Sequence, residues 1–254
     1  MHLFGRLRLA VALALVIEPL AHAAQAQSVR IFETPYADVV ALDPVFETFL
    51  GYAQTRFDDR LVIIGAQIGQ ILAGQTVRLK TGRGLDGHWV LDARAPTPPL
   101  MLISGAPGAI AAVVHDQAFG NFALAGVGPG QTGVGRSQLG TGIVTILFDE
   151  PQCLFGLRTA LDGEQDNIAM RQFPEGNLNL IFWNEDGIEL ASFRRFLDQG
   201  VLETAYIQQA GSAPQIKAVT IQNLDPGGIG IDEIVYAPEC PIILSDLSQA
   251  MGPG

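Results

Sequence analysis

An all-β sandwich or jelly roll, with one or two short helices, is the fold this sequence predicts, and three observations predict it. Short β-branched runs recur at close spacing between Gly and Pro turns. Asn177-Leu-Asn-Leu-Ile-Phe-Trp183, the turn Asn184-Glu-Asp-Gly187 and the return Ile188 to Phe196 form the clearest hairpin signature in the chain. Ile143-Val-Thr-Ile-Leu-Phe148 is apolar at every position but one, as in a strand buried on both faces.

At the N-terminus, Arg6 and Arg8 precede the apolar run Leu9 to Ile17, and Ala24-Gln25-Ala26 supplies an A-x-A site. This layout predicts a secretory signal over 1–26. A bilayer span needs about 20 apolar residues, so the run is too short to cross, and no membrane span is expected after cleavage. The single domain is expected over 27–240, followed by a flexible tail over 241–254. The chain carries a net charge of -11, a surface that repels phosphates, so nucleic acid is not an expected partner.

Val29-Arg-Ile-Phe-Glu33 reads as a strand ended by Thr34-Pro35. Val40, Val45, Phe46, Phe49 and Leu50 fit a short amphipathic helix or a loop equally well. Leu61 to Ile64, Thr76 to Lys80 and His88 to Asp92 read as strands, and Gly65 to Gly74 stays ambiguous. From 104 to 142 the composition turns to Gly and Ala, with ten glycines from Gly105 to Gly142. The apolar residues Val113, Val114, Phe119, Phe122 and Leu124 within it argue for loops and short strands inside the domain rather than a linker.

After Phe148, Asp149-Glu-Pro151 reads as a stop, and Cys153 to Leu157 as the next strand, paired with the one before. Lys217 to Asn223 and Ile229 to Tyr236 complete the set. In the last strand apolar parity shifts by one across Asp232 and Glu233, which predicts a bulge or burial on both faces. In an oxidising compartment the two cysteines read as one bridge, Cys153–Cys240, with two free thiols as the alternative.

Catalytic signatures are weak. Gly82-x-Gly84-x-x-Gly87 is followed by strand-like His88-Trp-Val-Leu91, so it reads as a hairpin loop, and no nucleotide cofactor is expected. His88 and His115, the histidines after the signal, lack a G-x-S-x-G nucleophile or a zinc-type spacing. Asp162 to Asn167 fails the calcium-loop pattern and reads as a solvated acidic turn. Trp183, Trp89 and Tyr206 are the candidate stacking faces for a sugar. A pair of hydrolytic carboxylates cannot be picked out among the acids.

From Gly142 onward, Gly-Thr-Gly-Ile-Val-Thr-Ile-Leu-Phe-Asp-Glu-Pro151, Phe155-Gly-Leu157, Phe182-x-x-x-Asp186-Gly187, Ile216 to Ile221 and Gly230-Ile-Asp-Glu-Ile234 follow in order, with Ile31-Phe-Glu33 at the start. This series resembles the secreted bacterial jelly-roll domains of exosortase-sorted (PEP-CTERM) surface proteins. Ile231-Asp-Glu-Ile-Val-Tyr-x-x-x-Cys240 is also similar to the end of MAM adhesion domains. The resemblance implies a galactose-binding-like or lectin-like sandwich, often with a structural calcium where the first and last strands meet. Glu33 and Asp232 would then be its carboxylate ligands and Glu233 a third candidate, within a shell of about six to eight oxygens. After Cys240 come Pro-Ile-Ile-Leu244 and a polar tail rather than an anchor, so a released or periplasmic protein is expected. The resulting expectation is a secreted, non-catalytic module that binds polysaccharide or surface glycan or mediates surface or matrix contacts. The alternatives are a polysaccharide-degrading enzyme and a structural envelope protein.

Overall fold

The computed structural model describes residues 29–82, 85–106, 110–116, 118–129, 139–161, 177–197, 200–224 and 228–240. The expected signal, the acidic turn at 162–167 and the tail at 241–254 lie outside them. No helix among the described residues is long and apolar enough to cross a membrane.

The early part of the chain supplies β1 (Ile31–Thr34), α1 (Tyr36–Val40), β2 (Val45–Thr48), β3 (Thr55–Phe57), β4 (Leu61–Ile63), β5 (Ala66–Gly69) and β6 (Ile71–Leu72). Then come β7 (Val77–Gly82), β8 (Leu85–Leu91), β9 (Leu102–Ile103), β10 (Ala111–Asp116) and β11 (Asn121–Gly126). The last seven are β12 (Ile143–Gln152), β13 (Leu154–Leu161), β14 (Leu178–Trp183), β15 (Glu189–Arg195), β16 (Val201–Gln208), β17 (Ile216–Asn223) and β18 (Ile229–Ala237). The protein is an all-β sandwich of jelly-roll type. Sheet A runs β1-β16-β13-β18-β11-β10-β3, with β2 also on β18; sheet B runs β15-β14-β17-β12-β5-β4.

Between the sheets, inward residues of alternating strands meet in a run of aromatic rings. Phe148 lies against Tyr236 at 5.0 Å between centroids, Phe155 against Phe182 at 5.9 Å, and Phe182 and Phe193 against Tyr206 at 5.1 and 4.5 Å. Such tilted and edge-on contacts add to the burial of aromatic area. The outer face of sheet B is covered in turn by the β6–β9 and β7–β8 ribbons. Ile71, Leu72 and Leu91 pack there on Ile143, Ile181, Trp183 and Ala218.

Two expectations about the 143–157 region need correction. The strand does not stop at Asp149-Glu-Pro151 but runs to Gln152, because its ladder with β17 lapses between Leu147 and Gln152. Pro151 lacks an N–H and is tolerated where no ladder bond is required. Nor does β13 pair with β12: the chain crosses to sheet A at Cys153, whose N–H donates to Ala237 O at 2.9 Å, and β13 lies between β16 and β18. Phe148 and Phe155 therefore face each other across the core, 6.3 Å apart. The ambiguous stretches resolve as α1 with β2, and as β5 with β6. β16 had no clear alternation because its second half, from Thr204 to Gln208, is buried on both faces.

The expected hairpin forms over 178–195, with Leu178 opposite Arg195 and a register shift between Phe182 and Trp183. Its turn is held by Asn184 Oδ1, which accepts from the N–H groups of Asp186 and Ile188 at 3.0 and 2.8 Å, and Gly187 takes the left-handed conformation, φ 73°. The 104–142 segment contributes β10 and β11 to sheet A, and its glycines allow backbones to touch. A Cβ on Gly140 (φ 79°) would sit 2.1 Å from the backbone N of Ile229, so that crossing admits glycine alone.

The parity shift in the last strand is a bulge. Arg158 of β13 opposes Glu233 and Thr159 opposes Ile231, leaving Asp232 as the extra residue.

Candidate functional site

The bulge arranges a polar row on the outer face of sheet A. Phe155, Leu157, Ile234 and Tyr236 belong to the core, so by strand alternation Arg158 and Glu233 point outward. Glu203 of β16 opposes Arg158, Arg158 opposes Glu233, and Glu233 opposes Thr48 of β2. Four polar side chains on four successive strands thus share one row, which at about 4.8 Å per strand spans roughly 14 Å. A bulge turns its two residues to the same side, so Asp232 joins Glu233 against the guanidinium. Arg158 Nη1 lies 3.0 Å from Asp232 Oδ2 and its Nε 3.1 Å from Glu203 Oε1.

This row is bordered by rings. On one side α1 packs Tyr36 and Val39 onto Leu154, Ala205 and Val235, and the Tyr36 hydroxyl donates to Glu233 Oε1. Burial, together with that carboxylate, holds the phenol far above its ordinary pKa, so it stays a donor. On the other side the Phe119 ring centre lies 5.8 Å from the Arg158 guanidinium carbon, within cation–π range. Phe32 and Phe46 are 40% and 38% exposed. They oppose Ile207 and Val235, which places them on the same outer face, to either side of α1.

Of the sequence-derived site residues, Asp232 and Glu233 lie together in this row, and Glu33 does not join them. β1 and β18 are not neighbours but are separated by β16 and β13, three strand steps or about 14 Å. Glu33 instead pairs with Arg195 of β15, tying the edge of sheet A to the edge of sheet B. Arg195 also lies 5.7 Å from the Tyr206 ring centre. The premise that the first and last strands meet therefore does not hold. Glu33, Asp232 and Glu233 do not fit a shared calcium shell, and no group of three His, Cys, Asp or Glu among the described residues could hold a metal ion.

The proposed stacking residues also need correction. Trp183 is 1% exposed, with Nε1 donating to Thr220 Oγ1 at 3.0 Å, and Tyr206 is fully buried in the core. Trp89 packs half-buried against the cluster under the β7–β8 ribbon. The open rings are phenylalanines, Phe32 and Phe46, which lack the polar atom that marks Trp and Tyr as stacking candidates. Arg158, Tyr36 and Glu203 were also missed, since nothing local in sequence marks them. Cys153 and Cys240 form the disulfide, with Cα atoms 5.0 Å apart. His115 is the exposed residue of the otherwise buried β10, its ring edge-on to Phe122 at 5.9 Å, and Gly82 ends β7 while Gly87 lies within β8 of the expected hairpin, Gly84 being outside the described residues.

Glu47 is a further acid that the sequence did not single out. It opposes inward-facing Ile234, is 8% exposed, and accepts from the N–H of Ile64 and the hydroxyl of Tyr52. The Tyr236 hydroxyl donates to the carbonyl of the same Ile64. Two side chains of sheet A thus grip the β4–β5 turn of sheet B and close the second edge of the sandwich. Burial raises the Glu47 carboxyl above its ordinary range, and the Tyr236 phenol is pushed up to about 12 by burial and then by Glu47 and Asp149. A carboxyl whose folded pKa is raised binds its proton more tightly in the folded state. Its stabilising contribution is therefore present in acid and lost as pH rises through the folded value. Glu47→Gln is expected to raise the thermal midpoint at neutral pH, by on the order of 2 °C, and to have a smaller effect near pH 4. Melting curves at the two pH values check this, and an equal shift at both would remove the charge explanation.

No family model matches the chain, and no curated protein matches it. Among solved structures it is similar to a point mutant of a family 29 carbohydrate-binding module, at 10% identity over 76% of this chain and 90% of that one, with a TM-score of 0.29. At that score the likeness carries no argument about function.

Proposed function

We propose that this chain is a secreted or periplasmic β-sandwich that binds polysaccharide or surface glycan on the outer face of sheet A, in a cell-surface or matrix setting of the kind its family resemblance implies. The observation that carries this is the row Glu203–Arg158–Glu233–Thr48 set on the same face as the exposed rings of Phe32 and Phe46. Sugar rings offer hydroxyls around their edges and C–H groups on their faces. A line of donors and acceptors beside flat apolar rings is complementary to both. The N-terminal signal pattern and the cysteine pair support export.

The test is binding of the mature chain to a panel of immobilised polysaccharides, with Phe32→Ala and Phe46→Ala beside the wild type. Truncating an anchoring aromatic at an interface commonly costs more than about 1 kcal/mol, so each substitution is expected to weaken binding several-fold, and the pair to abolish it, with little change in melting temperature. Wild-type binding left intact by both substitutions would place the ligand elsewhere. No binding to any member of the panel would leave a structural envelope role.

A further inference from the structure

β2 carries a different chemistry on each side. Phe46 and Thr48 stand on the outer face of sheet A, beside the row that Arg158 and Glu233 build. Val45, Glu47 and Phe49 alternate on the inner side, where Val45 and Phe49 pack in the core cluster. An acid therefore occupies the middle of an otherwise apolar side. Its carboxyl accepts from the Ile64 N–H and the Tyr52 hydroxyl. Among the described residues, the ionisable groups that face this corner are Tyr52, Tyr236 of β18 and, beyond Tyr236, Asp149 of β12. Asp149 is exposed, and its carbonyl accepts from Lys217 Nζ at 2.8 Å. Both phenols are pushed up, first by burial and then by Glu47, so from acid to neutral pH they stay protonated. β2 itself is four residues long and is laddered to β18 alone among the described strands. A short strand with one partner opens more readily than the strands at the centre of a sheet.

Resting on the glycan-binding reading above, we infer that Glu47 is a proton switch for that face: with its carboxyl neutral β2 docks fully and presents Phe46 and Thr48, and with it ionised β2 loosens and glycan affinity falls. An ionised carboxylate in an apolar layer gives up hydration that two hydrogen bonds replace only in part. When β2 lifts from β18 the carboxyl returns to water and to its ordinary range. Burial raises the carboxyl in the docked strand, so docking binds the proton more tightly. Docking is therefore favoured as pH falls through the docked value, and the gain is complete below the ordinary carboxylate value. A ligand that needs docked β2 loses apparent affinity in proportion to the undocked fraction. The inner side of β2 thus sets how well its outer side is offered.

The experiment reads amide hydrogen exchange of the mature chain at about pH 5 and about pH 8, each rate divided by that of the unstructured amide at the same pH. Depletion onto insoluble cellulose, chitin and mannan is measured at the same two values. Protection of the β2 amides is expected to be several-fold higher in acid, relative to the β14 amides of sheet B, and retention on whichever polysaccharide binds should rise with it. Glu47→Gln should hold both readouts at their acid level throughout. Tyr52→Phe, which removes a donor to the carboxylate, should widen the contrast, and Asp149→Asn should leave it in place. Equal β2 protection at the two pH values, or a contrast that survives Glu47→Gln, would overturn the switch. So would proton-dependent β2 protection beside retention that ignores pH. Retention on none of the three polysaccharides, with β2 protection still governed by Glu47, would count against the glycan reading and leave a proton-gated strand.

Discussion

Replacing Cys153 and Cys240 together by alanine is expected to cost about 4 kcal/mol of stability and to lower the melting midpoint by about 8–16 °C. The bridge joins residues 87 apart in sequence, and a cross-link over so long a loop removes much of the conformational freedom of the unfolded chain. In the folded state it fastens the end of β18 to the start of β13. Those strands carry Glu233, Asp232 and Arg158, so the bridge anchors the same strand pair that builds the polar row. The surroundings fit a structural bond: Cys153 is fully buried and Cys240 Sγ lies 3.4 Å from Ser212 O. Calorimetric melting of the wild type and the double variant checks the size. A free-thiol count on denatured, unreduced wild-type protein checks the premise, since two thiols would end the idea. An unchanged midpoint in the double variant would show that the denatured state is not loosened.

Arg158→Ala is expected to be the most damaging single substitution on the outer face, costing about 3 kcal/mol. Removing one partner of a buried pair leaves an uncompensated charge. Here that charge is Asp232, whose side chain is 6% exposed, with Glu203 and Glu233 close by. Because Arg158 itself is 30% exposed, the expected cost sits at the low end of the range for fully buried pairs. Adding Asp232→Asn should recover most of the loss, because an amide in the bulge carries no charge to bury. Denaturant unfolding of the wild type, both single variants and the double variant closes the cycle. A coupling near zero would mean that Asp232 is solvated by other means and that the row is not organised by Arg158.

Much of the fold was legible because it is written locally. The 178–195 hairpin is marked by alternation on both sides of an Asp-Gly turn, and the bulge at Asp232 and Glu233 by a single break in parity. Ile143 to Phe148 advertised burial on two faces by being apolar on both. What periodicity records is which side of one strand is dry. It does not record which strand lies alongside. Hence β12 and β13, both apolar and adjacent in sequence, read equally well as partners in one sheet or as opposing walls of the core, and the crossing at Cys153 decided for the second.

The candidate site shows the same division. The chain alone determined an all-β sandwich, an acidic surface, one cysteine pair and two acids at a change of face. Tertiary structure decided what those acids do, because their partners come from distant strands whose register no local pattern encodes. Arg158 reaches Asp232 across 74 positions, and Tyr36 reaches Glu233 across 197. Glu33, which looked like their companion, is drawn 162 positions away to Arg195 at the opposite edge of the sandwich. Which rings meet water was decided in the same way. Trp183 and Tyr206 have polar atoms that find partners inside, at Thr220 and Thr204, so burying them costs little. Phe32 and Phe46 remain outside because their strands turn them to the face that no second sheet among the described residues covers.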